Sequence, residues 1–339
     1  MIKIAVDAMG GDYGVNTTVK ASMDAIKKFK DIEIILFGDE EKIKPLLTNN
    51  ERISIVHTKE VLDMGEHDPV RAIRNNKEAS MVKALYAGRN KEVDAVVSSG
   101  PTQCLIVGAH LCVRRIEGMS RVALCPIVPS FDGKGKLLLD VGANVELKPE
   151  HFVEFAIAGT IIARDVLHFK DPKVGLLNIG SEKGKGRDVD DEAYNLLEKA
   201  PINFTGNVEP NEVLTTTNAD IIVSDGFTGN MVLKSVEGTA KTMGKMLKQE
   251  IKASLGGKIG YLFMRKNIKR FAKRMDSSEV GGAMIVGVQA PVIKAHGNSD
   301  AYAFYNAIRQ AREMVINKVV DKLKEEINKN QGDNNEANS

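Results

Sequence analysis

The chain has 339 residues, 43% of them hydrophobic and 27% charged, so it has the apolar content to bury a large core. Its 47 Lys and Arg nearly cancel its 45 Asp and Glu, and a net charge of +2 points to no partner, nucleic acid included. Three cysteines (Cys104, Cys112, Cys125) without a CxxC pair exclude a disulfide framework, and no run approaches the ~20 apolar residues that span a bilayer. The amino terminus, MIKIAVDAMGGD, reads as a strand and glycine turn rather than a signal peptide, so a reduced, cytoplasmic protein is expected.

In chain order, Lys3 to Val6 reads as a strand, Asp7 to Asp12 as a glycine turn and residues 16–29 as a helix. Strands follow at Glu33 to Phe37 and Ile53 to His57, with a helix from about Val70. Asp94 opens the unit DAVVSSGPTQCLIV, and another strand begins at Arg121. Lys136 to Asp140 closes on Val141–Asn144, and Pro149 suits the first turn of a helix that runs to Val166. Lys173 to Leu177, Ile202 to Phe204 and Ile221 to Val223 are further strands. A long helix is read from Met231 to about Ser254. The last strand is Pro291 to Ile293, followed by a helix from Ala301 to about Asn328 and a polar tail.

Alternating strand and helix predicts an α/β fold in three layers, α/β/α, around a largely parallel sheet. Residues 1–328 form a single domain in this reading, with a helical hairpin over about 236–275 and a disordered tail over 329–339. In such folds ligands sit at the carboxyl ends of strands. At least six of these ends carry glycine together with Asp, Asn, Ser, Thr, Lys or His.

Two of those ends match each other. DAVVSSGPTQCLIV and DIIVSDGFTGNMVL align Asp94 with Asp220, Ser98 with Ser224, Gly100 with Gly226 and Thr102 with Thr228. A strand that ends in glycine and feeds a helix aims unpaired N–H groups at one point, which suits an anion. Phosphate is therefore expected at the turn after Asp225, with Thr228, Gly229 and Asn230 contributing and Thr228 or Asn230 capping the helix.

Neither a Walker A loop, a G-x-G-x-x-G, a G-x-S-x-G elbow nor an H-E-x-x-H occurs. Asp7 and Asp12 on a glycine turn read as hydrogen-bonded caps in preference to metal ligands, and no metal or other cofactor is expected. His57 and His168 read as structural or solvent-facing. Lys294 and His296 share a polar glycine loop with Asn298, Ser299 and Asp300 and are the catalytic candidates. Arg71, Arg74, Lys183 and Lys185 would add positive charge.

Between Glu250 and Asp276 lie eight basic residues and no acidic one. Ile259, Tyr261, Leu262, Phe263 and Met264 sit at the centre of this segment, beside Gly256 and Gly257. The pattern reads as two amphipathic helices joined by an apolar tip, with Leu255, Ile259, Leu262, Phe263 and Met264 contacting a membrane surface and the flanking faces packing on a sister subunit.

IAVDAMGGD, EHDPVRAIR, LLLDVGANVELKPEH, VGLLNIGSEKGKG, NFTGNVE, DGFTGNMVLKSVEG and APVIKAHGNSDAYAF resemble, in order, the bacterial phosphate acyltransferase family of phospholipid synthesis. The likeness runs from about residue 2 to residue 315. It departs at Ser98–Cys104, where the family turn is similar to SAGNTGA: Pro101 removes an N–H donor and Gln103 replaces a glycine, so against the family pattern this turn ranks behind the intact Asp225 turn. The resemblance implies acyl transfer from acyl carrier protein to inorganic phosphate, with the acyl phosphate passed to a membrane glycerol-phosphate acyltransferase. It also implies a homodimer and a fold similar to isocitrate and isopropylmalate dehydrogenases and phosphotransacetylases. The expected phosphate- and substrate-binding residues are Asp7, Gly10, Gly11, Ser98, Thr102, Asn144, Lys185, Asp225, Thr228, Gly229 and Asn230. The alternatives are a phosphotransacetylase-like enzyme using coenzyme A thioesters, a metal- and NAD-dependent hydroxyacid dehydrogenase, and a non-catalytic membrane scaffold.

Overall fold

The computed structural model describes residues 1–48, 51–274, 279 and 281–337, with side chains through Lys329 except that of Arg274. Twelve strands are found among them: β1 (Ile2–Asp7), β2 (Ile32–Gly38), β3 (Ile53–His57), β4 (Ala95–Ser98), β5 (Ala123–Cys125), β6 (Ile127–Val128), β7 (Lys136–Leu139), β8 (Lys173–Leu177), β9 (Asn203–Val208), β10 (Ile221–Val223), β11 (Ala283–Val286) and β12 (Val292–Lys294). They are shared between two sheets. The first has the order β3-β2-β1-β4-β12-β11-β5 and the second β6-β7-β10-β8-β9. In the first only β11 runs against its neighbours, and in the second only β6 does. The strand expected from Arg121 divides at Pro126, so that β5 ends one sheet and β6 begins the other.

Both faces of each sheet are covered, which is why the strands read as continuous apolar runs. Side chains still alternate. Ile4, Val6, Leu137, Leu139, Ile221 and Val223 enter one buried cluster, while Ala5, Leu138 and Ile222 enter the other. The first cluster spans both sheets and includes Val19 and Ile26 of α1 (Gly14–Lys28), Phe152 and Phe155 of α6 (Pro149–Asp165), and Phe304 and Ile308 of α10 (Ala301–Ile316). Short α2 (Glu40–Ile43) and α3 (Pro69–Asn75) precede α4 (Ser80–Arg89) and α5 (Thr102–Gly108), and the last two cover the opposite face. The result is the expected α/β architecture, with helices on both sides of mostly parallel sheets.

On the second sheet α7 (Asp188–Leu197) packs against α6. Helix α8 (Gly226–Ala253) begins directly after Asp225, five residues before the expected start at Met231. It turns back at Ser254 into α9 (Leu255–Arg274). The hairpin therefore bends ahead of Gly256, and Leu262 and Phe263 lie within α9 instead of in a connecting tip. The final helix breaks at Lys318, whose φ of +52° ends α10, and α11 (Val319–Ala337) follows. Its backbone continues past Asn328, where a tail was expected; the side chains beyond Lys329, and Asn338 and Ser339 altogether, lie outside the described residues.

Candidate functional site

Three parallel neighbours, β1, β4 and β12, end side by side, with Lys294 in register with Ser98. Asp7 follows Val6 at the same level, so three polar residues distant in sequence meet at one edge. Asp7 is fully enclosed. Its carboxylate accepts from the hydroxyls of Ser80 and Ser98, both at 2.6 Å, and from the N–H of Met9 at 3.3 Å. Burial pushes its pKa up, and these hydrogen bonds pull it back. Gly11 sits at φ +82°, where a Cβ would lie 2.6 Å from the Ser99 hydroxyl and 2.9 Å from the Gly297 carbonyl. The turn can close only on glycine.

Lys294 is 7% exposed. Its ammonium donates to the carbonyls of Ala295 and, at 3.4 Å, Ser99. It forms no ion pair among the described residues. Burial holds its pKa down at about 8, against the pull of Asp7 and Asp12. A buried cation that answers only carbonyl oxygens retains attraction for an anion. His296, four residues before the helix cap at Asp300, stands exposed at the mouth of the same edge; partial enclosure and the Lys294 charge hold its pKa below the ordinary value.

The second sheet presents a parallel edge. Asp140 follows β7, and its carboxylate accepts from the N–H groups of Leu124, Gly142, Ala143 and Asn144 and from the Asn144 amide. It is fully buried, and burial raises its pKa. Asn144 also donates to the Val122 carbonyl, and its own carbonyl accepts from the Gly226 N–H at 2.7 Å. Gly229 packs onto the Asp140 carbonyl so closely that a Cβ would overlap it. These contacts lock the start of α8 onto the Asp140 loop.

The cap of α8 departs from expectation. Asp225, not Thr228 or Asn230, is the capping residue: its carboxylate accepts from the Thr228 N–H at 2.7 Å and the Thr228 hydroxyl at 2.9 Å. Arg187 donates to the same carboxylate at 2.6 Å and also pairs with Asp190. The two carboxylates raise the Arg187 pKa. The Gly226 and Thr228 N–H groups in the first turn of α8 are therefore engaged by the chain itself. At the matching turn, α5 starts after Pro101 with no side-chain cap, and the Ser99 hydroxyl turns away to the Gly10 carbonyl at 3.0 Å. Thr102 and Gln103, in the first turn of α5, are exposed.

The two edges meet across one cleft. The Gln103 amide donates to the Gly142 carbonyl at 3.4 Å, and the Asn230 side chain also approaches Gly142. Helix α8 then passes the first edge, where the charges of Lys234 and Glu237 act on His296 and that of Lys234 on Lys294. Asp7, Gly10, Gly11, Ser98, Thr102, Lys294 and His296 thus gather at the first edge, with Asp7 and Ser98 buried beneath it, and Asn144, Asp225, Thr228, Gly229 and Asn230 at the second, with Asp225 and Gly229 buried. Lys185 is exposed on the loop after β8, where its carbonyl accepts from Asn178. Leu255, Ile259, Leu262, Phe263 and Met264 lie apart on the hairpin, since 28 helical residues carry α8 about 42 Å from Asp225.

Sequence reasoning did not single out Ser80, Asp140, Arg187 or Lys234. Ser80 opens a helix with no turn motif, and its meeting with Asp7 depends on how α4 lies against β1. Nor did it single out an apolar fringe: Val145, Ile179, Phe227 and Met231 are all exposed in the loops and first helical turns beside the polar residues. Each follows or adjoins a strand-end motif, which is the signal that could have revealed them.

Residues 2–322 match the family described as fatty acid synthesis protein. A phosphate acyltransferase from Acholeplasma laidlawii is 50% identical over 327 residues, covering 96% of this chain and 98% of that protein. Among solved structures, a phosphotransacetylase from Streptococcus pyogenes superposes with a TM-score of 0.63 at 16% identity, covering 93% of this chain and 94% of its own. A 4-hydroxythreonine-4-phosphate dehydrogenase from Klebsiella pneumoniae gives 0.51 at 10%, covering 93% and 99%. Those two likenesses concern the fold alone. The sequence matches go further, and over nearly its whole length the chain belongs to the fatty acid synthesis protein family, that of the phosphate acyltransferases.

Proposed function

We propose that the protein transfers a fatty acyl group from the thioester of acyl carrier protein to inorganic phosphate, releasing acyl phosphate and the free thiol. The observation that carries this reading is Lys294, a buried ammonium without a carboxylate partner, at a strand edge that also holds an uncapped helix start. Phosphate sits at that edge, held by the Lys294 charge and the first-turn N–H groups of α5. One of its oxygens attacks the thioester carbonyl, the C–S bond breaks, and the thiolate takes up a proton. Phosphate is anionic at neutral pH and a thiol of pKa about 8.5 leaves readily, so the protein supplies position and oxyanion stabilisation instead of a nucleophile. The apolar fringe of Val145, Ile179, Phe227 and Met231 would receive the start of the acyl chain.

The hairpin supports a second part of the proposal. Phe263 is 85% exposed, and Met243, Met246, Leu247, Ile259, Leu262 and Phe271 are exposed with it. No helix among the described residues is long and apolar enough to cross a membrane. A second copy of the chain would cover the stripe formed by Met243, Met246, Leu247 and Phe271. The apolar first half of α9, with Lys258 and the adjoining Arg265 and Lys266, would rest on an anionic membrane surface, where each Lys or Arg adds about 1 kcal/mol. Acyl phosphate would then be released next to the membrane glycerol-phosphate acyltransferase that consumes it.

The decisive assay supplies palmitoyl-acyl carrier protein or palmitoyl-coenzyme A with and without phosphate and captures the product as hydroxamate. Phosphate-dependent hydroxamate from the carrier-protein thioester is expected. Turnover confined to coenzyme A would assign the phosphotransacetylase-like reaction instead. Liposome co-sedimentation of wild type and Leu262→Glu/Phe263→Glu, with and without anionic lipid, tests the hairpin. Equal binding by both proteins would remove these residues from membrane contact.

A further inference from the structure

A cavity of about 470 Å³ opens at the other end of the second sheet from the cleft. Gly133 and Gly135, which line it, precede β7, whereas Asp140 follows that strand. The cavity also reaches Arg309 and Gln310 of α10, roughly 15 Å along the helix from its cap at Asp300. Its volume falls in the ~300–1,000 Å³ range of small-molecule sites. It shares no residue with the cleft.

The walls are of two kinds. Ile127 and Pro129 on one side and Val166 and Leu167 at the end of α6 form an apolar face. Lys134, Arg270, Lys273 and Arg309 supply four cations against the carboxylates of Glu279 and Glu313. Those carboxylates already serve as partners, Glu279 to Lys273 at 3.1 Å and Glu313 to Arg312 at 3.1 Å. Arg270 has no carboxylate partner among the described residues.

Two buried donors of residues in this wall have no acceptor among the described residues. Gln310 is 4% exposed, and its Oε1 accepts from the Gly282 N–H at 2.9 Å, which fixes the amide and leaves Nε2 without a partner. Arg309 gives one terminal N–H to the Glu279 carbonyl at 3.1 Å, and its buried Nε is likewise unpartnered. Buried donors in native proteins are satisfied, because leaving them unpaired forfeits their hydration. The two residues are adjacent on one helix, and both line the cationic cavity.

We propose that this cavity binds an anionic amphiphile, with a carboxylate or phosphate monoester head against Arg309 and Gln310 and a short alkyl chain along Ile127, Pro129, Val166 and Leu167. Titration calorimetry with octyl phosphate and octanoate on the full chain tests it, with inorganic phosphate and octanol supplying head and chain alone. Octyl phosphate or octanoate should bind at least about tenfold more tightly than either part, as a charge-assisted contact added to a buried alkyl chain requires. Gln310→Leu, and Lys134→Glu on the exposed rim, should each weaken that binding by about tenfold. Lys294→Met, which alters only the cleft, should leave it in place, so failure of the cleft reading does not mimic failure here. The proposal is overturned if wild type binds neither amphiphile, if both cavity variants bind like wild type, if inorganic phosphate binds as tightly as octyl phosphate, or if binding disappears in Lys294→Met. Should Gln310→Leu not fold, the charge reversal at Lys134 decides the matter alone.

Discussion

The turns at the ends of β4 and β10 share Asp, Ser, Gly and Thr at matching positions, yet they leave their helices in opposite electrostatic states. After β10 the residue before the shared glycine is Asp225, and its carboxylate takes the Thr228 N–H and hydroxyl and pairs with Arg187. After β4 the same position is Ser99, whose hydroxyl bonds to Gly10, and the helix begins behind a proline without a cap. A helix start attracts an anion only where the chain has not placed its own anion there. Asp225 in place of Ser99 thus gives one turn a carboxylate cap, whereas the other leaves its helix start without a side-chain cap. The buried Lys294 stands beside the second kind.

Replacing the cation at the open turn should have the largest effect. Lys294→Met is expected to lower kcat by about 10²–10³, the usual loss when one oxyanion-stabilising group is removed. The measurement is steady-state turnover of acyl carrier protein thioester at saturating phosphate, alongside a thermal melt showing that the variant is folded. A variant within threefold of wild type would place the chemistry at the other turn.

Changing pH removes the same charge without a substitution. The Lys294 pKa is held at about 8 by burial, so its ammonium is present below that pH and lost above it. Half-saturating phosphate should be flat from pH 7 to about 8 and rise by roughly tenfold per unit beyond, because each unit removes nine-tenths of the cation. Stability moves the opposite way. In the unfolded chain the lysine keeps its proton to about pH 10.4, so between about 8 and 10 the unfolded state binds more protons and this group's contribution to stability rises with pH. Lys294→Met should abolish both trends.

At the closed turn the balance is reversed. Asp225→Ala removes the cap and one of the two carboxylates on Arg187, and should cost about 1–2 kcal/mol of stability. Half-saturating phosphate should change by less than about twofold, a difference near the 0.4 kcal/mol limit of such comparisons. Chemical denaturation and a phosphate titration on the same preparation separate the two effects.

Much of the fold was legible because it rests on short-range rules. Apolar runs closed by glycine and followed by helical periodicity marked most strands, and the likeness between Asp94–Val107 and Asp220–Leu233 pointed to paired strand ends. Strand β11 escaped because Ala283–Val286 is a short apolar run with no helix behind it, and it gains definition only from its antiparallel neighbours β5 and β12. The division into two sheets escaped for a related reason: Pro126 interrupts one extended run, and nothing local says that its halves join different sheets. In the site, Asp7, Ser98 and Lys294 were each singled out, but their meeting depends on the strand order β1-β4-β12. Ser80 and Asp140 carried no turn signal of their own that pointed to chemistry. The state of the two helix starts depended on which of several Ser, Asp and Thr side chains reached the free N–H groups, a choice of rotamer and geometry that composition leaves open.

The smallest effect gives the finest discrimination between the two turns. Thr228 is where a phosphate contact was expected from sequence, and in the structure its hydroxyl donates to Asp225 at 2.9 Å while its N–H takes the other carboxylate oxygen at 2.7 Å. Thr228→Val keeps the shape and the backbone bond and deletes only the hydroxyl. Asp225 retains the Thr228 N–H and the Arg187 guanidinium, so the carboxylate is not left unpaired, and the loss should stay near 0.5–1.5 kcal/mol, the net worth of one hydrogen bond. If the hydroxyl is spent on Asp225, half-saturating phosphate is unaltered and the cost shows only in denaturant. If phosphate displaces that bond and draws the hydroxyl to itself, half-saturating phosphate should rise by about tenfold, as expected for losing a hydrogen bond to a charged ligand. The contrast between the turns survives the first outcome and fails on the second. Thr102→Val at the matching position of α5, whose side chain has no hydrogen-bond partner among the described residues, sharpens it: there the denaturation midpoint should hold, and phosphate affinity should fall only if the Thr102 hydroxyl joins the backbone donors at the open turn.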